Sequence, residues 1–233
     1  ANACRMKIVT WNINGVRARI GNLLHWLQEA NPDIVCLQEI KTVDEGFPRE
    51  VFEGLGYACA VHGQKSYNGV AILSKRPMED VTPRLPADDG VLDDHSRYLE
   101  AVITGEKGTV RVASIYAPNG NPFPGPKFDY KLRWMDRLGQ RMAQIAAEEV
   151  PAVVIGDYNV IPMPEDVYDP KAWADDALFK LETRQAFRAL TSLGLTDAFR
   201  ALHPTAHAYT YWDYQGIAWS ADLGCDFAID ADV

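Results

Sequence analysis

The sequence is poor in the features that mark several common protein classes. Among its 233 residues no apolar run approaches the roughly 18 residues that a membrane-spanning helix needs. No basic-then-apolar leader opens it either, so the expectation is a soluble, unexported, cytoplasmic protein. Cysteine is scarce: Cys4, Cys36, Cys59 and Cys225 form no Cys-x-x-Cys pair and no cluster with histidine. That excludes a disulfide-stapled scaffold and a structural zinc site, and leaves reduced, mostly buried thiols. Basic charge is in deficit, with 23 Lys and Arg against 32 Asp and Glu and a formal net charge of -9. A protein that holds nucleic acid by phosphate contacts alone needs the opposite balance. The objection lapses if several carboxylates are gathered to hold a cation, because that cation then faces the phosphate.

A composition that is 47% hydrophobic and 24% charged supports one domain with a core large enough to need no staple. Residues 7–13 (KIVTWNI) alternate as a strand does, and Ile20, Leu23, Leu24 and Leu27 recur at helical spacing until Asn31-Pro32 stops them. Residues 33–39 (DIVCLQE) read as a buried strand, followed by a short helix led by Pro48 and closed by Gly56. Strands are expected at 57–61, 69–74, 97–103 and 109–116, between Gly, Pro and Asp clusters. Tyr130, Trp134, Leu138, Met142 and Ile145 predict a helix, 151–157 (PAVVIGD) another buried strand, and 183–193 a further helix. Short links between neighbouring strands favour an α/β protein with two stacked sheets covered by helices over a doubly wound single sheet. There is no internal repeat and no low-complexity segment.

Several of these strands end in a polar residue: Asn12 after KIVTW, Glu39 after DIVCLQ, Tyr116 after RVASI, and Asp157 with Asn159 after PAVVIG. If the ends share one rim, they offer two carboxylates, two carboxamides and a phenol. This hard-oxygen set suits Mg²⁺ and is ill suited to zinc. A metal held by Glu39 neutralises a phosphate, Asp157 orients and deprotonates a water, and Asn12, Asn159 and Tyr116 donate to the developing charge. Each residue alone has a plainer explanation. Glu39 and Asp157 serve equally as helix caps, Asn12 and Asn159 as turn residues, and Tyr116 as a half-buried core aromatic.

With these motifs in view the chain resembles the exonuclease III family of abasic-site endonucleases, in the endonuclease/exonuclease/phosphatase superfamily. The resemblance rests on residues 10–19 (TWNINGVRAR), 37–41 (LQEIK), 67–72 (YNGVAI), 116–120 (YAPNG), 156–159 (GDYN) and 209–214 (YTYWDY), in family order between Met6 and Gly216. It implies a four-layer α-β-β-α sandwich of two packed mixed sheets flanked by helices. Residues 1–5 stand before that domain as a leader, and 6–233 form it. The implied metal is Mg²⁺, with Mn²⁺ as a substitute, and the metal group is Glu39 with Asn12, Asp157 and Asn159. Asp157 positions or activates the water, Asn159 stabilises the transition state, and Tyr116 contacts the scissile phosphate. Asn119 and Arg97 take positions that contact phosphate or DNA. Tyr211 and Trp212 match the aromatic pair beside a base-less sugar, which selects the lesion by shape.

The resemblance fails at two places. An Arg-Ile-Asp-His-like strand and a terminal Ser-Asp-His are missing, which points to a segment absent between Gly216 and Ile217 and to an early stop at Val233. The implied activity is cleavage 5′ to abasic sites in double-stranded DNA by a monomer, leaving a 3′-hydroxyl, with 3′-to-5′ exonuclease and 3′-phosphatase activity beside it. Two other readings use the same residues: a phosphatase or phosphodiesterase acting on a small phosphorylated substrate, and a non-catalytic DNA-binding relative. The first shares Asn12, Glu39 and Asp157 but has no use for Tyr211-Trp212; the second has no use for a costly carboxylate cluster.

Overall fold

The computed structural model describes residues 6–87, 89–106, 108–205, 208–210 and 228–230. Strand β1 (Lys7–Asn12) leads through helix α1 (Ile20–Ala30) to β2 (Ile34–Gln38), helix α2 (Arg49–Glu53), β3 (Ala58–His62) and β4 (Val70–Ser74). Then come β5 (Met78–Pro83), β6 (Tyr98–Gly105), β7 (Gly108–Tyr116), α3 (Pro126–Ala146), β8 (Ala152–Asp157), α4 (Leu181–Thr191), α5 (Ala198–Leu202) and β9 (Ala228–Asp230). Helix α1 stops because Asn31 takes a left-handed conformation (φ 47°) and its N–H bonds back to Leu27. Among the described residues no helix is long and apolar enough to cross a membrane.

The strands build a sheet of order β3-β4-β2-β1-β9 and a second of order β5-β6-β7-β8. Both are mixed: β1 and β2 are parallel in the first, β7 and β8 are parallel in the second, and the other pairs are antiparallel. This is the expected α/β sandwich of packed mixed sheets with helices. Strand periodicity explains the packing. Ile34 and Cys36 of β2 turn to one face and meet Leu99, Ala101, Ile103, Val112 and Ile155 of the second sheet. Val35 and Leu37 turn to the other face and pack with Leu23 and Leu27 of α1 and Phe52 of α2. A strand buried on both faces reads as a continuous apolar run, which is why residues 33–39 show no alternation.

A polar staple crosses the core between the sheets. Gln38 is 1% exposed, and its amide donates to Ser114 Oγ (3.1 Å), the Cys36 carbonyl (3.2 Å) and Thr10 Oγ1 (3.0 Å). Ser114 in turn donates to the Leu37 carbonyl at 3.2 Å. Such a network tolerates no slip between the sheets, because any slip leaves buried donors unsatisfied.

Strand β5 has no counterpart in the sequence reading. Residues 78–83 (MEDVTP) are mostly exposed, carry a bulge with Asp80 at φ 49°, and end in Pro83. An edge strand built this way has neither alternation nor β-forming composition to betray it. The described residues fall into two compact units: one with all nine strands, α1 and α2, the other with α3, α4 and α5. The chain leaves the first unit after Tyr116 and again after Asp157.

Candidate active site

The ends of the two parallel strand pairs carry the candidate site. In β1 and β2, Asn12 stands in register with Gln38, so Glu39 emerges one residue beyond the ladder; in β7 and β8, Tyr116 stands in register with Asp157. Parallel strands present their C-terminal ends on the same side, and loops leaving those ends are free to carry chemistry.

At these ends the Asn12 side chain links the two pairs. The Asn12 amide nitrogen donates to Glu39 Oε1 at 2.8 Å and to Asp157 Oδ2 at 2.8 Å. Its oxygen accepts from the Asn14 N–H at 3.1 Å, an Asx turn. The orientation of this amide follows from its partners, since two carboxylates can only accept. Asn12 is therefore the turn residue of the plain reading, and its amide goes to the two carboxylates, where the functional reading had it donate to the developing charge.

Backbone contacts fix Glu39 from both sides. Gly15 N–H donates to the Glu39 carbonyl (2.7 Å), Ile40 N–H to the Gly69 carbonyl (3.2 Å) and Lys41 N–H to the Asn68 carbonyl (3.0 Å). Glu39 itself lies at φ 50° and Lys41 at φ 55°, conformations that cost of order 1–3 kcal/mol in a non-glycine residue and persist only where the surroundings impose them. A helix cap does not need this geometry. Lys41 Nζ lies 3.3 Å from Glu39 Oε2 and also donates to Asn14 Oδ1, placing a cation on the flank of the carboxylate pair.

Tyr116 completes this cluster. The pKa of its phenol is driven well above the usual value, first by burial and then by the charges of Glu39 and Asp157, with a smaller hydrogen-bonding contribution from Glu39; nearby Arg97 offsets only part of this. The phenol thus remains a donor. The Arg97 guanidinium lies 4.9 Å from the Tyr116 ring centre and donates to the Tyr116 carbonyl at 3.3 Å, while the Tyr116 N–H returns a bond to the Arg97 carbonyl at 2.8 Å. Arg97 is thus a buried cation that braces Tyr116.

Asn119 and Asn159 belong to the second unit. Asn159 lies at φ 46° and gives one N–H to the Ala117 carbonyl at 2.8 Å. Asn119 is exposed, and its side-chain oxygen accepts from Asn121 N–H (3.2 Å) and Nδ2 (2.8 Å), so its amide end is the donor it presents. Tyr211 and Trp212 lie outside the described residues. The helix reading missed one residue near these loops. The buried face of α3 is Phe128, Lys131, Trp134, Met135, Leu138, Met142 and Ile145, so the apolar stripe contains a lysine that its spacing could have flagged.

Among the described residues no group of three or more His, Cys, Asp and Glu is arranged to hold a metal. The donor set nevertheless fits magnesium, which commonly binds through one or two carboxylates and completes its shell with waters and substrate phosphate. Glu39 and Asp157 would hold it, with Asn12 keeping their oxygens together.

The family model described as Endonuclease/Exonuclease/phosphatase family matches residues 9–225. The chain is 33% identical over 227 residues to exodeoxyribonuclease III of Haemophilus influenzae, covering 94% of this chain and 84% of that one. A solved 3′ phosphatase from Neisseria, bound to a product DNA hairpin, superimposes with a TM-score of 0.85 at 36% identity, covering 96% of this chain and 84% of that one. An AP endonuclease from Archaeoglobus fulgidus gives 0.81 at 34% identity, over 91% and 80%.

Proposed function

The chain belongs to the Endonuclease/Exonuclease/phosphatase family, and from that membership we propose a metal-dependent DNA-repair phosphodiesterase that cuts duplex DNA 5′ to abasic sites as a monomer, with 3′-exonuclease and 3′-phosphatase activity alongside. The observation that carries this reading is the Asn12 bridge, which joins Glu39 and Asp157 across the ends of two parallel strand pairs with the Tyr116 phenol beside them.

Magnesium, held by Glu39 and Asp157, would neutralise charge on the scissile phosphate. The remaining work falls to the chain. Asp157 accepts a proton from the attacking water, its carboxylate held at Oδ2 by Asn12. The water oxygen bonds to phosphorus, the bond from phosphorus to the 3′-oxygen breaks, and that oxygen takes a proton from solvent to leave as the 3′-hydroxyl, while Asp157 releases its own proton to solvent. The Tyr116 phenol stays protonated and donates to a phosphoryl oxygen as charge grows there, and Asn159 and Asn119 supply further donors. Arg97 holds Tyr116 in place, and Tyr211 and Trp212, which match the family's aromatic pair by sequence, would select a base-less sugar by shape. Support comes from the family match, from relatives named for this chemistry and from the carboxylate pair.

The test is cleavage of an end-labelled duplex carrying one tetrahydrofuran abasic analogue, with Mg²⁺ and with chelator. Metal-dependent cutting beside the analogue, reduced by at least about 10²-fold in Glu39→Ala and Asp157→Ala, is expected. Cutting that survives both substitutions overturns the assignment of these residues. An intact duplex, with turnover of small phosphate esters instead, overturns the substrate.

A further inference from the structure

Lys131 is 0% exposed on the buried face of α3. Its ammonium donates to two main-chain oxygens, that of Asn119 at 3.1 Å and that of Asn159. These carbonyls belong to the two segments that run on from the ends of β7 and β8, three residues past Tyr116 and two past Asp157. The ladder between these strands ends at Tyr116 and Asp157. Beyond it the two segments are joined by the Asn159 amide on the Ala117 carbonyl and by Lys131.

The chain makes room for this lysine at some cost. Gly120 lies at φ 88°, and a Cβ there would stand 2.6 Å from Lys131 Cδ and 3.4 Å from Ala177 Cβ, so the loop accommodates the lysine stem only with glycine at 120. Burying an ammonium among apolar residues is unfavourable unless its hydrogens find strong acceptors. A methionine or leucine would fill the same stripe without that penalty, so packing alone does not explain a cation here. A charged donor does supply something a hydrophobe lacks: it draws two carbonyls from different segments to one point, through bonds roughly twice as strong as neutral ones.

We propose that Lys131 is a positioning residue, which sets Asn119 and Asn159 relative to each other through the backbone and so fixes where their amides point. The proposal rests on the reading above that these two asparagines act at the phosphate. A residue that only stabilised the fold would lower the unfolding midpoint and leave the turnover of folded molecules unchanged. A positioning residue lowers kcat well below the unfolding temperature.

The experiment compares the unaltered protein with Lys131→Met and Lys131→Arg. Kinetics are run with Mg²⁺ on the abasic duplex and on bis(4-nitrophenyl) phosphate, and amide hydrogen exchange is followed in peptides spanning 117–120 and 157–160. Lys131→Met should lower kcat at least tenfold with KM changed less than threefold and should speed exchange in both peptides, while Lys131→Arg recovers part of each. Should Lys131→Met not fold, Lys131→Gln, which keeps a donor for one carbonyl, is measured in its place against the same thresholds. A folded neutral variant with kcat within twofold of the unaltered protein and unchanged exchange overturns the proposal. So does an arginine variant no better than the neutral one. If the unaltered protein leaves the abasic duplex intact, the substrate assignment fails, and the exchange data still decide the role of Lys131.

Discussion

Replacing Asn12 with aspartate asks whether the amide bridge holds the two carboxylates together. Asn12 Nδ2 lies 2.8 Å from Glu39 Oε1 and 2.8 Å from Asp157 Oδ2. An aspartate oxygen there would face two carboxylates at about 3 Å, a repulsion of roughly 5.5 kcal/mol each at an effective dielectric near 20, or about 11 kcal/mol for both. Protonating one of the three carboxyls is cheaper: at about pH 7.5 it costs roughly 5 kcal/mol, taking 1.36 kcal/mol for each unit above an ordinary aspartate pKa of about 3.9. The variant therefore takes up a proton, and its destabilisation is capped near 5 kcal/mol at this pH. Asn12→Ala instead loses two charge-assisted hydrogen bonds in a partly exposed site, and with water replacing some of their strength the cost is about 2 kcal/mol.

The gap between the two variants, about 3 kcal/mol at pH 7.5, should narrow by about 1.4 kcal/mol per unit and vanish near pH 5.5. The sign follows from linkage. The shared proton raises a carboxyl pKa in the folded state, so its contribution is full at acid pH and is lost as pH rises. Urea unfolding in chelator from pH 5.5 to 7.5 reads this directly. Magnesium should stabilise Asn12→Asp more than the unaltered protein, which gains about 2.7 kcal/mol when the ion stands at 100 times its Kd. Equal costs for aspartate and alanine at pH 7.5, or a gap that ignores pH, would refute the bridge as the element that gathers the carboxylates.

Other consequences are as direct. Gly156 lies at φ 151°, and a Cβ there would meet the Ile115 carbonyl oxygen at 2.1 Å, so Gly156→Ala should part β7 from β8 and cost more than about 3 kcal/mol in urea unfolding; a loss under about 1 kcal/mol would contradict that fit. Tyr116→Phe should lower kcat by about 10²-fold or more with little change in KM. Because burial and two carboxylates raise the phenol pKa, the alkaline limb of the kcat profile should carry no titration from Tyr116 up to about pH 10, so a limb near 10 that disappears in Tyr116→Phe counts against the assignment. Burial, with Arg84 adding to it, lowers the His62 pKa against the smaller pull of Asp44 and Asp93, so folding favours the neutral ring. Its contribution is complete above the usual histidine range and is lost as pH falls below it, so His62→Gln should flatten the acid slope of stability between about pH 7 and 5. Identical slopes would exclude His62 as a source.

By itself the sequence determined what depends on near neighbours along the chain. The alternation of β1, the apolar run of β2, the helical spacing of α1 and the Gly, Pro and Asp clusters that bound β6 and β7 are short-range properties, and each element lies within a few residues of its expected position. The polar strand ends were legible for the same reason, since a strand that closes on Asn12, Tyr116 or Asp157 shows this in its own few residues. Element β5 was not legible, because an exposed, bulged edge has no burial pattern to print on its composition.

Tertiary structure alone decided which strand ends meet. Asn12 and Asp157 are 145 residues apart, and their contact follows from two sheets packing face to face in a register that Gln38, Thr10 and Ser114 secure. It also decided the direction of the Asn12 amide, which two acceptors impose, and the bracing of Tyr116 by Arg97. Lys131 differs from these. Its place in an apolar stripe is written in the sequence, but what a buried charge serves depends on the carbonyls that reach it, and those come from segments 12 and 28 residues away. Hydrophobic periodicity reports which way a side chain faces; what it meets there is settled by the packing of distant parts of the chain.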